Sequence, residues 1–136
     1  KEISEESPIE GILICEMIDN GVETVLGVVK DPVFGPTVMF GLGGIFIEIL
    51  KDVTFRVAPF DAKEAHMMIN EIRGRAILDG VRGAPPVDVD ALAEALSQLS
   101  LFAATNIDNV DSIDLNPFIV LPRGAKIVDA LIIASD

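Results

Sequence analysis

Apolar runs broken by turn-forming residues predict β-strands in the first fifty residues of the chain. Four segments are rich in β-branched and other apolar residues, which is typical of half-buried strands. They cover residues 11–18, 23–30, 37–41 and 44–50. The sequence DNG at residues 19–21 and the sequence DPVFGP at residues 31–36 supply turn chemistry between them. We therefore expect a meander of neighbouring strands.

The middle of the chain changes to the three- and four-residue spacing of amphipathic helices. Asp61 and Glu64 have the spacing of a capping box, which predicts a helix over residues 61–72 that ends near Gly74. A second helix is predicted to begin near Asp88, after a loop that contains two prolines. The apolar positions that should face the core are Ala65, Met68, Ile69, Ile72, Leu92, Leu96, Leu99 and Ala103.

Two strands are predicted to close the chain. They cover residues 113–121 and 125–134, and a Pro-Arg-Gly turn at residues 122–124 should join them. Strands, two principal helices and a closing hairpin together predict an α+β fold with a mainly antiparallel sheet. We expect residues 1–136 to form a single unit, with a frayed terminus over residues 1–10.

Composition favours a packed protein and argues against two classes of partner. Hydrophobic residues make up 50% of the 136 residues and the mean hydropathy is +0.49, which strongly favours a packed globular domain over a disordered chain. The net charge of −12 disfavours binding to nucleic acid or to an anionic membrane. No apolar run reaches the roughly 18 residues that cross a bilayer. The first residues lack the features of a secretory signal, so we expect a cytoplasmic protein.

The one cysteine and the one histidine do not indicate nucleophilic catalysis. Cys15 lies among Leu13, Ile14 and Met17, so we expect a small buried thiol there. A single cysteine also excludes an internal disulfide framework. His66 falls within the first predicted helix, where a position on the polar face is expected.

The closing hairpin is the place where the residue pattern points to chemistry. Strand alternation puts Asp114 and Asn116 on one face of the first strand. If the turn is centred between residues 122 and 123, Asn116 lies opposite Asp129; if it is centred one residue later, Asp129 lies opposite Phe118. Three oxygen-bearing side chains in the first register would suit Mg²⁺, which binds hard oxygen ligands. A solvated strand face is the alternative interpretation.

Several ordered motifs resemble one enzyme family. Residues 27–36 (GVVKDPVFGP), 39–48 (MFGLGGIFIE) and 51–53 (KDV) resemble the C-terminal part of the ATP-grasp domain of NDP-forming acyl-CoA synthetases. The ADP-forming acetyl-CoA synthetases are the nearest type, and the succinyl-CoA synthetase β subunit is a more distant one. Residues 55–59 (FRVAP), 82–88 (RGAPPVD) and 114–117 (DLNP) continue the resemblance in the same order, from about residue 11 to residue 133.

The resemblance implies a metal site in the closing hairpin. Asn116 and Asp129 match the positions that hold the nucleotide's Mg²⁺ in this family, and Asp114 stands at an acidic position that is more often Glu. The family commonly has Arg where this chain has Leu131, so a phosphate contact at that position is not expected here.

The resemblance also implies a nucleotide site. Glu16, Met17 and Ile18 resemble the hinge strand whose backbone reads the adenine edge, and Glu23 stands where a ribose-binding Glu is usual. Surface carboxylates on two strands are the alternative interpretation of both acidic residues.

A glycine-rich segment and two charged residues are further candidates for phosphate or metal contacts. Gly43 and Gly44 would let backbone N–H groups approach a phosphate, although a tight turn is the alternative. Glu48 is a candidate beyond them. Arg56 could hold phosphate oxygens through its guanidinium, and a salt bridge to Asp52 would explain it equally well.

The resemblance implies that the chain is part of an acid–CoA ligase that makes acyl-CoA from ATP, a carboxylic acid and CoA, with release of ADP and phosphate. The expected route passes through an acyl-phosphate and a phosphohistidine. The expected partners are Mg²⁺, ATP or ADP, the upstream half of the ATP-grasp domain, and CoA-binding domains that lie outside this chain, so the fragment alone should be inactive. A regulatory synthetase-like domain of a protein lysine acetyltransferase is the alternative. The sequence does not indicate which acid is the substrate, whether the nucleotide is ATP or GTP, or whether the protein forms an oligomer.

Overall fold

The computed structural model describes residues 11–81 and 83–135, apart from the side chains of Ile45 and Glu48. The segment 1–10, which was expected to fray, lies outside the described residues.

Six strands form one antiparallel sheet: β1 (Val22–Asp31), β2 (Gly35–Leu42), β3 (Val53–Val57), β4 (Val110–Val120), β5 (Ala125–Ile127) and β6 (Ala130–Ala134). The strand order is β3-β2-β1-β4-β5, and β6 also pairs with β4. The helices are α1 (Ile45–Glu48), α2 (Ala62–Glu71) and α3 (Val89–Thr105), with a 3₁₀ helix at Arg73–Ile77.

The helices α2 and α3 cover one face of the sheet. Leu26 of β1 lies opposite Phe40 of β2 and opposite Leu115 of β4, and all three side chains are buried in the core. Every apolar helix position predicted from the sequence is buried too. The α+β prediction is therefore confirmed, because the helical periodicity and the strand alternation point to the same core.

Aspartates begin both principal helices. The side chain of Asp61 accepts a hydrogen bond from the amide of Glu64 at 2.9 Å, and the side chain of Asp88 accepts one from the amide of Ala91 at 3.0 Å. Each bond satisfies a donor of the first helical turn that has no partner within the helix. The predicted starts of both helices are confirmed, although α2 ends at Glu71, before Gly74.

The second face of the sheet is only partly covered. We call it the open face, and define it by the residues that alternate with the core positions: Val25, Gly27 and Val29 of β1, Thr37 and Met39 of β2, Phe55 and Val57 of β3, Ser112, Asp114 and Asn116 of β4, and Leu131 and Ile133 of β6. Val29, Phe55 and Leu131 are each more than half exposed. The side chains of Asp114 and Asn116 therefore project from this face.

Two strand predictions in the first fifty residues are wrong. Residues 11–18 have no regular secondary structure, and most of their side chains are exposed. Cys15 is exposed with them, so the prediction of a buried thiol is also wrong. Residues 44–50 contain the short helix α1 because Gly44, with φ of +61°, turns the chain out of the sheet. An apolar composition predicts a strand in both places but does not tell whether a neighbouring strand is present to pair with it.

Candidate functional site

The closing hairpin has the register that places Asn116 opposite Asp129. The ladder pairs on the two sides of these residues are Leu115 with Ala130 and Phe118 with Ile127. The backbone amide of Asn116 donates to the carbonyl oxygen of Asp129 at 3.2 Å. The turn is closed by the amide of Leu121, which donates to the carbonyl oxygen of Gly124 at 3.0 Å. The first of the two predicted registers is therefore confirmed.

Three oxygen-bearing side chains start from neighbouring points of this hairpin. Asp114 and Asn116 are exposed while Ile113 and Leu115 between and beside them are buried, as strand alternation requires. Asp129 is exposed and lies at the break between β5 and β6. Its carboxylate accepts a hydrogen bond from the amide of the next residue at 2.9 Å. One carboxylate oxygen of Asp129 thus accepts a hydrogen bond from the protein backbone.

A pocket of 280 Å³ lies against two of these side chains. Its walls come from β1, β2, the start of the α1 segment and β4, and the lining residues are Val25, Met39, Gly44, Ile47, Asp114 and Asn116. The pocket therefore brings the glycine-rich segment beside the polar cluster of β4. None of its lining side chains is basic, so the fixed charge that this described wall presents is the carboxylate of Asp114.

The two glycines play different roles in this wall. The amide of Gly43 donates to the carbonyl oxygen of Glu23 at 2.8 Å, and a Cβ at Gly43 would lie 3.1 Å from the Cβ of Glu23. Gly43 is therefore a packing position whose N–H already has a partner. Gly44 has φ of +61° and would meet no atom within 4 Å if it carried a Cβ, so it faces the pocket directly. The side chain of Glu48 lies outside the described part of the structure.

The residues predicted to bind the adenosine lie beside the same sheet. Glu23 is exposed, and strand alternation puts it on the same face of β1 as Val25. Glu16 and Met17 are exposed in the irregular segment that precedes β1, and Ile18 is half-buried. The carboxylate of Glu16 accepts from Nζ of Lys126 of β5 at 2.5 Å, which ties this segment to the hairpin.

Arg56 lies away from the cluster. It pairs with Val38, a core residue, so its side chain leaves β3 on the helix-covered face. Nε contacts Glu64 at 2.6 Å and a terminal nitrogen contacts Glu71 at 2.5 Å, both on α2. The expected alternative, a salt bridge to Asp52, is wrong because these glutamates take the guanidinium. The hydrogen bonds that Arg56 donates to Glu71 and, to a smaller extent, to Glu64 raise the pKa of Arg56, and the bond to Glu71 lowers the pKa of that glutamate.

Sequence reasoning missed two residues that the structure connects to the site. Lys126 is the partner of Glu16, and it lies opposite Ile119 in the same register that pairs Asn116 with Asp129. The predicted hairpin register could therefore have indicated the position of Lys126. Asp52 is buried beneath the α1 segment, and no spacing rule in the sequence indicates its backbone partners.

The donor set suits a hard divalent cation. Among residues 11–81 and 83–135, no three side chains of His, Cys, Asp or Glu come together as a metal cluster. The hairpin instead offers the carboxylates of Asp114 and Asp129 with the amide oxygen of Asn116. Mg²⁺ is usually bound by one or two carboxylates, with water and phosphate oxygens as the other ligands. The residues present therefore fit Mg²⁺ that arrives with a nucleotide better than a closed all-protein site.

No helix in the described part of the chain combines the length and the apolar character that a membrane span requires.

Comparisons with known proteins show the family of this chain. The model of the ATP-grasp domain family matches residues 1–134. The β subunit of acetate–CoA ligase (ADP-forming) II from Pyrococcus furiosus is 46% identical over 130 residues, which are 94% of this chain and 55% of that subunit. The 4-hydroxybutyrate–CoA ligase (ADP-forming) of Nitrosopumilus maritimus is 40% identical over 134 residues, which are 97% of this chain and 19% of that ligase.

A solved structure has the same fold. It is the dinucleotide forming acetyl-coenzyme A synthetase 1 of Candidatus Korarchaeum cryptofilum in complex with coenzyme A and Mg-AMPPCP, which superposes with a TM-score of 0.80 and 47% identity over 85% of this chain and 54% of that chain. The chain thus spans about half the length of this synthetase chain and of the Pyrococcus subunit, and about a fifth of the Nitrosopumilus ligase. The chain belongs to the ATP-grasp family, in the group found in ADP-forming acyl-CoA synthetases.

Proposed function

We propose that this chain is the nucleotide- and Mg²⁺-binding part of an ADP-forming acid–CoA ligase. The observation that carries the proposal is the position of Asp114 and Asn116 on the open face, beside Asp129 and against the pocket that Gly44 lines. The full reaction joins a carboxylic acid to CoA with release of ADP and phosphate. It requires the upstream half of the ATP-grasp domain and CoA-binding domains, and it has a cytoplasmic setting.

The relatives support the class of reaction and leave the acid open. One similar protein is named for acetate and another for 4-hydroxybutyrate, and both are ADP-forming ligases. The similar solved synthetase contains coenzyme A together with Mg-AMPPCP, a nucleotide analogue with its metal. These two relatives have comparable sequence identity to this chain but are named for different acids. We therefore infer that the acid is selected outside the part of the protein that this chain represents.

The residues of this chain act by positioning and by charge. Asn116 and Asp129, with Asp114 beside them, would hold Mg²⁺, which neutralises phosphate oxygens during phosphoryl transfer. Gly44 leaves the pocket wall open to phosphate groups, since no side chain projects there. Glu23 would hold the ribose, and the backbone of Glu16, Met17 and Ile18 would read the adenine edge.

Charge balance explains why the metal is needed on this side of the site. The described pocket lining contributes a carboxylate and no basic side chain, and Arg56 is taken by two glutamates. A polyphosphate next to this wall would meet repulsion without a cation. The positive charge therefore comes from Mg²⁺ and from groups in the rest of the protein.

One observation favours the regulatory alternative. Leu131 lies opposite Asp114 on β6, where the family commonly has an arginine. A synthetase-like domain that no longer transfers phosphate would tolerate an apolar residue at that position. The shorter acid at Asp114 favours this alternative as well, whereas the retention of Asn116 and Asp129 favours the catalytic proposal.

The test is CoA-dependent ADP release by the full-length protein over a panel of carboxylic acids. Asp129→Ala and Asn116→Ala are expected to lower the rate at least 100-fold without unfolding, since each removes a metal ligand. Asp108→Ala is the matched control, because this carboxylate is exposed in the turn before β4 and should leave the rate unchanged. Nucleotide binding without ADP release, insensitive to both ligand variants, would reject the metal site and support the regulatory alternative.

A further inference from the structure

Asp52 is the one ionisable side chain that is buried among the described residues, with 7% of its surface exposed. One of its carboxylate oxygens accepts a hydrogen bond from the amide of Arg73 at 2.8 Å, and the other accepts from the amide of Gly74 at 2.8 Å. Its own amide donates to the carbonyl oxygen of Phe46 at 3.0 Å. A single residue therefore joins β3, the segment of α1 and the start of the 3₁₀ helix.

A buried carboxylate is costly unless its oxygens are bonded, and here both are. An apolar residue would fill the same space without that cost. It would also leave the amides of Arg73 and Gly74 without their present acceptor. The carboxylate thus has a holding role that an apolar side chain cannot replace.

The junction around Asp52 is tightly packed. A Cβ added at Gly74 would lie 2.5 Å from Cδ1 of Leu42 and 3.3 Å from Oδ2 of Asp52. A Cβ added at Gly41 would lie 3.0 Å from the carbonyl oxygen of Asp52 and 3.1 Å from Cδ1 of Ile47. Both glycines therefore permit close approach of neighbouring segments, and Gly41 lies next to both the backbone of Asp52 and the side chain of Ile47.

The same junction sets one wall of the candidate nucleotide pocket. Ile47 lines that pocket together with Gly44, Asp114 and Asn116. The helix α1 has only four residues, too few to be stable by its own hydrogen bonds. Its position must come from tertiary contacts, and the hydrogen bond from Asp52 to Phe46 is one of them.

We propose that Asp52 is a positioning residue for the nucleotide site, which it serves by fixing α1 and the wall formed by Gly44 and Ile47. The inference rests on the proposed function. Asp52 touches no reacting atom; it keeps the wall at the distance from Asp114 and Asn116 that a bound polyphosphate requires. Loosening that wall weakens nucleotide binding and leaves the later steps of the reaction unchanged.

The chain offers a matched control at Asp88. Its carboxylate also accepts from two backbone amides, those of Ala91 at 3.0 Å and Gly124 at 2.8 Å. It ties the start of α3 to the turn of the closing hairpin and does not line the pocket. Asp52→Asn and Asp88→Asn therefore remove the same kind of interaction at two different places.

The experiment compares both variants in the full-length protein. Asp52→Asn is expected to raise KM for Mg-ATP about fivefold, while kcat and the KM values for the acid and CoA change by less than about twofold. Both variants are expected to lower Tm by similar amounts, since each weakens the same kind of hydrogen bonding. Asp88→Asn is expected to leave KM for Mg-ATP unchanged. Equal effects of the two variants on KM, or none from Asp52→Asn, would overturn the proposal.

Ile47→Ala keeps the test decisive if Asp52→Asn does not fold. This side chain is half-buried, so its truncation should be tolerated, and the same rise in KM for Mg-ATP is expected. An unchanged KM would contradict the role of α1 as a wall. If only this inference fails, Asp129→Ala and Asn116→Ala still lower ADP release. If the proposed function fails, these two variants leave ADP release unchanged.

Discussion

The backbone amide of Asn116 donates to the carbonyl oxygen of Asp129 at 3.2 Å, across the break between β5 and β6. The two residues therefore face each other where the second arm of the hairpin leaves the regular ladder. Both side chains are exposed.

Asp114 should respond differently from Asp129 to substitution. It lies two residues before Asn116, about 7 Å along the strand, and opposite Leu131 rather than Asp129. A longer acid at this position would reach further toward the other two ligands. We expect Asp114→Glu to keep or increase the affinity for Mg²⁺ in the presence of ADP, and Asp114→Ala to lower it about threefold, as measured by calorimetry.

Ser112→Ala is a suitable control for Asp114, because it changes a polar residue of the same strand and face that lies two ladder positions further from Asn116. Equal loss of Mg²⁺ affinity in Asp114→Glu and Asp114→Ala would indicate that the carboxylate position, rather than its charge, determines binding.

Leu131→Arg should strengthen nucleotide binding. Leu131 is 59% exposed and lies opposite Asp114 on the open face, so a guanidinium there gains a carboxylate partner and approaches the phosphates. KM for Mg-ATP is expected to fall about threefold. Ile132→Arg is the matched control: Ile132 is 54% exposed but lies on the helix side of the same strand. The same change in KM from both variants would point to the general effect of added positive charge.

Arg56→Met should affect stability and not nucleotide binding. Arg56 holds Glu64 and Glu71 of α2 against β3, and its side chain is 23% exposed. We expect the free energy of unfolding of the full-length protein to fall by about 1–2 kcal/mol, with KM for Mg-ATP unchanged. Chemical denaturation and steady-state kinetics check the two parts. A higher KM at unchanged stability would restore Arg56 as a phosphate contact.

Asp88 should make the stability depend on pH below about pH 4. Hydrogen bonds from the amide of Gly124 and then from that of Ala91 hold the pKa of Asp88 below its ordinary value of 3.8. Because the pKa is lower in the folded state, the stabilisation is complete above the ordinary value and is lost as the pH falls through the folded value.

The variant Asp88→Asn isolates this contribution. Its Tm should lie below that of the unmodified protein at about pH 7, and the difference should shrink between about pH 4 and about pH 2. Asp108→Asn, in an exposed turn, should show no such trend. A difference in Tm that is constant over this range would contradict the assignment.

The hairpin and the helices could be predicted because local rules determine them. A short Pro-Arg-Gly turn and strict alternation leave few registers, and one of these pairs Asn116 with Asp129. The apolar positions from Leu92 to Ala103 repeat at helical spacing, and Asp88 supplies the cap. These elements agree at the levels of propensity, pattern and packing.

The remaining features depend on contacts that no local pattern contains. Residues 11–18 have the composition of a strand, yet the described residues offer them no ladder partner, so Cys15 is exposed. The side of the sheet that Arg56 faces follows from the register of β3 with β2. The burial of Asp52 depends on the 3₁₀ helix, which follows it by about twenty residues.

Binding of Mn²⁺, as a paramagnetic substitute for Mg²⁺, to the full-length protein with ADP tests the metal site directly. The signal of free Mn²⁺ in electron paramagnetic resonance gives the bound fraction. We predict that Asp129→Asn and Asn116→Ala weaken Mn²⁺ binding in the presence of ADP at least tenfold, while Asp108→Asn does not. Unchanged Mn²⁺ binding in both folded ligand variants would contradict the assignment of this hairpin as the metal site.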